Sequence, residues 1–113
     1  MEQYTVDYFI DKFSNIPDNR WAVGECCDKK GKYCAFGYCG EEALHPHFDL
    51  YTKESQALIL LFANFFNDNK KFDDKFKLVY HVNDGWHTER FGLSPKERIL
   101  TVLKMIKDGK SDL

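Results

Sequence analysis

The stretch from residue 53 to 67 constrains this chain more than any other, because Leu58, Ile59, Leu60, Leu61, Phe62, Phe65 and Phe66 leave it little polar surface. A segment that is apolar on almost every side must be enveloped by the rest of the protein. Thr52 stands where a helix cap belongs, so the pattern predicts a central helix over 53–67. Its apolar run, residues 57–66, is broken by Asn64 and is about half of the roughly twenty residues needed to cross a bilayer. It reads as a core helix, and no membrane association is expected.

Two further helices are marked by spacing and caps. Val6, Phe9, Ile10 and Phe13 fall on one helical stripe, with Thr5 as cap and Pro17 beyond the end. Near the C-terminus Ser94 and Glu97 form a capping box, Pro95 takes the first helical position, and Ile99, Val102, Leu103 and Ile106 make the buried stripe up to Gly109. Between these helices the pattern is less helical. Residues 21–27 read as extended or hairpin-like around the turn at 28–31; a short helix starts near Cys34, although the alternation of Tyr33, Ala35, Gly37 and Cys39 suits a strand equally. Phe76, Leu78, Tyr80 and Val82 alternate with Lys77, Val79 and His81, which favours a strand, while Phe72, Phe76, Val79 and Tyr80 keep a helical alternative open. Residues 67–75 form a polar, charged connector expected to be a flexible loop. With 113 residues the chain supports one core, so residues 1–113 are read as a single domain: α+β, mainly helical, with a small strand or hairpin element.

Sixteen basic and eighteen acidic side chains intermingle to a net charge of −2, so no field of one sign steers a polyanion, and nucleic acid is not an expected partner. The start of the chain has acidic residues where a secretion signal needs basic and apolar ones, which points to the cytoplasm. There the four cysteines, Cys26, Cys27, Cys34 and Cys39, are expected as thiols, and a free thiol is most often a small buried apolar group.

Four places carry candidate chemistry. The four cysteines with His45 and His47 suggest a zinc site, for which Cys34, Cys39, His45 and His47 are the candidate ligands. The spacing, however, lacks the paired ligands of standard structural sites, so no cofactor is expected. Cys34 at a helix start is a candidate nucleophile, with His81 as base and Asn83 or Asp84 orienting the imidazole. That order resembles papain-like and cell-wall-peptidase cysteine enzymes, although the surrounding residues lack their local signatures. Residues 82–92 gather Asn83, Asp84, Trp86, His87, Glu89 and Arg90 between ordered elements, as a binding loop would, or as a turn with structural hydrogen bonds. Lys29, Lys30 and Lys32 beside Tyr33 make a small basic spot that Asp28 and Glu25 nearly cancel.

Trp21, Gly31, the run Cys34, Ala35, Phe36, Gly37, the Thr52-capped helix, the Asn83–Asp84 pair and the Ser94-capped last helix together resemble an uncharacterised family of small bacterial and phage proteins. The likeness spans residues 21–106; the histidines at 45 and 47 and the cysteines at 26, 27 and 39 lie outside its pattern. The resemblance implies a packing role for Cys34, Ala35 and Gly37 and a capping or ligand-facing role for Asn83 and Asp84. By analogy with proteins of phages and mobile elements, it also implies action by binding a host component.

The expectation is a non-enzymatic protein that binds another protein or itself through Trp21, Tyr38, Asn83, Asp84, Trp86 and His87. The alternatives are a cysteine-dependent hydrolase built on Cys34 and a zinc-stabilised module.

Overall fold

The computed structural model describes residues 3–24, 26–45, 47–66, 76–85 and 88–109. Helix α1, Val6–Ser14, starts at Thr5, whose hydroxyl accepts the Tyr8 N–H at 3.2 Å, and it buries Phe9 and Phe13. Cys34, in extended conformation, leads into the short α2, Ala35–Tyr38. Helices α3 (Lys53–Phe66), α4 (Phe76–Asp84), α5 (Thr88–Phe91) and α6 (Pro95–Lys107) follow. The Thr52 hydroxyl takes the Ser55 N–H at 3.1 Å at the head of α3, and Ser94 takes the Glu97 N–H at 3.1 Å at the head of α6. Both caps stand where spacing places them, because a hydroxyl there satisfies amides that the helix itself cannot.

Helix α6 packs on α1, α4 and α5 and touches α3, which also lies against α4. Phe9, Phe13, Phe36, Phe62 and Phe91 are fully buried between these helices, with Leu58, Ile59, Val79, Val82, Ile99 and Leu103 filling the gaps. The radius of gyration is 12.9 Å, close to the roughly 13 Å of one folded domain of this length. No helix among the described residues is long and apolar enough to cross a membrane.

The expectation of an α+β fold is overturned: the described residues contain helices and no strand or sheet. Two segments account for the difference. Residues 76–84 form helix α4 rather than a strand, with Leu78, Val79, Val82 and Asn83 buried and Lys77 and His81 exposed. Burial at i, i+1, i+4 and i+5 is helical; a strand would have turned Val79 outward with Lys77 and His81. The hairpin-like segment does turn, but it yields only two isolated bridges, Trp21 with Tyr33 and Cys27 with Tyr33. Pairing stops there because the chain bends at Gly24 (φ +80°) on one side and enters α2 at Ala35 on the other. The connector at 67–75 and the side chains of Trp86 and His87 lie outside the described residues.

Candidate functional site

The Asn83–Asp84 pair at the end of α4 is turned inward. Asn83 is buried; its Oδ1 accepts the Ala35 N–H at 3.1 Å, and its Nδ2 donates to the Ala22 carbonyl at 2.9 Å and to Asp84 Oδ1 at 3.0 Å. Asp84 Oδ1 also accepts the Gly24 N–H at 2.9 Å. One side-chain pair therefore fixes both ends of the loop that runs from Ala22 to Ala35. From beneath, the buried guanidinium of Arg98 donates to the carbonyls of Val82 (2.7 Å), Asn83 (2.8 Å) and Gly92 (3.2 Å), closing the end of α4 against α6. A buried cation placed on terminal helix carbonyls is satisfied by the negative end of the helix dipole. Sequence reasoning missed Arg98, although its place next to Ile99 and one turn before Val102 puts it on the buried stripe.

What this clamp holds up is Tyr33. Its N–H donates to the Arg20 carbonyl at 3.3 Å and its carbonyl accepts the Ala22 N–H at 2.9 Å. On the other side Cys34 donates to the Cys26 carbonyl and Asp28 to the Lys32 carbonyl, each at 2.9 Å. Gly37 lets α2 come close: a Cβ there would stand 2.5 Å from the Cys26 carbonyl oxygen and 2.7 Å from Tyr33 Cβ. The Tyr33 ring, 39 % exposed, meets Tyr38 edge-on at 5.2 Å; Tyr38 meets Trp21 at 5.4 Å, and Trp21 meets Phe13 at 5.4 Å. An aromatic chain thus runs from the core to the surface. Trp21 is its buried link, with an indole N–H that finds no hydrogen-bond partner among the described residues, and Tyr38 is half-buried. The surface contact is Tyr33, which the sequence marked as a neighbour of the lysines and a member of an alternating run but not as a binding residue.

Beside Tyr33 an open groove of about 630 Å³ is lined by Cys27, Asp28, Lys29, Lys30 and Lys32. Asp28 faces inward, accepting the Lys30 and Lys32 N–H groups at 2.8 and 2.9 Å, and the Lys32 N–H is the main cause that holds its carboxyl below the usual range. Asp28 thus stays charged among the lysines, which outnumber it three to one in the lining of the groove. A second groove, about 450 Å³, lies between the start of α1 and α3 and is lined by Gln3, Tyr4, Ala57, Leu60, Leu61 and Asn64. Among the described residues that line it, the Tyr4 phenol is the one ionisable group.

Among the described residues the cysteines and histidines do not gather at one point. Cys34 and Cys26 are buried side by side, and Cys27 is exposed. Burial pushes the Cys39 thiol up, and it lies beside Glu54. The His45 Nε2 stands 3.4 Å from Glu41 Oε1, and its ring meets Tyr51; Glu41 itself is buried and caps α3 by accepting the Thr52 N–H at 2.8 Å. His47 is exposed at the start of the short 3₁₀ turn Phe48–Leu50. Among the described residues no three His, Cys, Asp or Glu side chains converge on a point that could hold a metal ion. The proposed Cys34–His81 dyad is likewise divided. His81 is exposed on α4, about 200° around the helix from Asn83, so it points away from the side that meets Ala35 next to Cys34.

Fold and site together define a helical protein that displays a braced loop. Comparison with protein-family models, with curated proteins and with solved structures finds no match to this chain.

Proposed function

We propose that this protein is a non-catalytic binding module whose loop at residues 26–34 grips an acidic, aromatic-bearing segment of a partner protein. The observation that carries this reading is Tyr33: a part-exposed ring whose own N–H and carbonyl are both bonded, beside a groove where three lysines outnumber the single carboxylate of Asp28. A rigid aromatic loses little conformational freedom on binding, and such side chains with a polar rim are what protein interfaces concentrate. The lysines add attraction and on-rate for a negatively charged segment. The resemblance to small bacterial and phage proteins agrees with action by binding. Trp21, Asn83 and Asp84 serve this reading from behind, as supports rather than contacts.

Panning a displayed peptide library against the protein tests it. The expected outcome is enrichment of acidic peptides containing an aromatic residue, whose affinity falls at least about tenfold in Tyr33→Ser and falls with added salt in the wild type. Enriched peptides that bind Tyr33→Ser equally well, or no enrichment over an unrelated helical protein, would remove the proposal.

A further inference from the structure

Cys26 and Cys34 face each other across the base of the loop. The Cys27–Tyr33 antiparallel bridge and the bond from the Asp28 N–H to the Lys32 carbonyl set the register, in which the next pair outward is Cys26 with Cys34. The Cys34 N–H confirms it by donating to the Cys26 carbonyl at 2.9 Å. Opposed residues in such a pair project to one side with Cβ atoms about 4.5–5.5 Å apart, and a disulfide asks for about 3.5–4.5 Å. A small closing movement is enough. The Cys26 thiol now donates to the Glu41 carbonyl at 3.5 Å, a contact that closing the pair gives up.

We propose that Cys26 and Cys34 form a reversible disulfide site, oxidised by hydroperoxides. Cys34 is the attacking sulfur. The Cys26 thiol beside it and the N–H groups of Phe36 and Gly37 hold its thiol below the ordinary value against the opposing effect of burial, while Cys26, next to that sulfur and buried, is pushed up and keeps its proton. The Cys34 thiolate attacks a peroxide oxygen, the O–O bond breaks, and the leaving oxygen departs as water or an alcohol after taking up a proton, leaving Cys34 as a sulfenic acid. The Cys26 sulfur then attacks Cys34, the S–O bond breaks, and the hydroxyl leaves as water with the Cys26 proton. Two thiols lose two electrons and one peroxide gains them. Cys27 stands outside the pair, directed at the Glu42 carbonyl, and Cys39 lies in another neighbourhood beside Glu54. The closed ring spans residues 26–34 and so carries all three lysines and Tyr33. The disulfide proposal does not depend on the binding proposal.

The test uses the full chain as Cys27→Ser, which removes the exposed thiol, treated with hydrogen peroxide and digested for mass mapping. Expected are the loss of two hydrogens, a linked pair of peptides containing Cys26 and Cys34, reversal by dithiothreitol, and a Tm higher by about 5–10 °C when oxidised. In Cys26→Ser the same treatment should leave a sulfenic acid on Cys34 that dimedone traps. A link through Cys39, a link between two molecules, sulfinic acid without a link, or unchanged mass at a peroxide dose that fully oxidises a small free thiol would each overturn the assignment.

Discussion

Glu54 shows how a side chain can be decisive without belonging to any motif. It accepts the Tyr8 hydroxyl at 2.6 Å and the Lys12 ammonium, tying α1 to α3. Burial pushes its carboxyl up, but the Lys12, Tyr8 and Cys39 donors more than offset this and leave it below the ordinary value of 4.5. The same contact lifts the Tyr8 hydroxyl to about 12. A carboxyl depressed in the folded state contributes stability that is fully present above its unfolded value and is lost as pH falls through the folded one. Denaturant midpoints measured between pH 6 and 3 should therefore fall on the acid side, and Glu54→Gln should flatten that fall while lowering the midpoint at pH 7. Parallel acid limbs for both proteins would contradict the assignment. None of this was legible beforehand, since Glu54 lies 42 and 46 residues from its partners. Cys34 was half legible: a helix start there was one of two readings, with the alternation of Tyr33, Ala35, Gly37 and Cys39 suiting a strand equally, and its neighbour Cys26 depends on a loop register that composition does not reveal.

At the scale of elements, the helices that begin with a hydroxyl cap were readable, whereas α4, over residues 76–84, was not. Thr5, Thr52 and Ser94 each cap a helix at the expected residue, because capping is local chemistry. Residues 76–84 follow a lysine in the sequence where those three helices follow a serine or threonine, and four alternating apolar residues imitate a strand. Val79 separates the two readings. In a strand it would share the outward face with Lys77 and His81, whereas in α4 it is fully buried against the core. Val79→Ala should accordingly cost on the order of 1–3 kcal/mol in chemical denaturation, the price of a lost methyl pair plus a small cavity. A change below about 0.5 kcal/mol, typical of surface sites, would speak for the outward-facing arrangement.

At the scale of the molecule, the organisation follows from where buried polar groups are used. Helices α1, α3, α4 and α6 make the core chiefly by apolar packing, with Glu54 and Arg98 adding polar ties between them, which is why the apolar run in α3 announced a central helix. The loop over residues 22–35 has little core of its own and is held by Asn83, Asp84 and, behind them, Arg98. Sequence reasoning found Asn83 and Asp84 and offered turn chemistry or a ligand; only the packing of α4 shows that they bind the protein's own backbone. In the proposed function this bracing is what keeps Tyr33 rigid enough to serve as an anchor.

Amide hydrogen exchange, resolved by residue, in the wild type and Asn83→Ala tests this directly. The substitution leaves the Ala35 N–H and the Ala22 carbonyl without partners, a loss of about 2–4 kcal/mol if both remain buried. The account predicts that the Gly24, Tyr33, Cys34 and Ala35 amides lose protection well beyond those in the middle of α3 and α6. Equal protection in the two proteins, or a loss spread evenly over all helices, would contradict it.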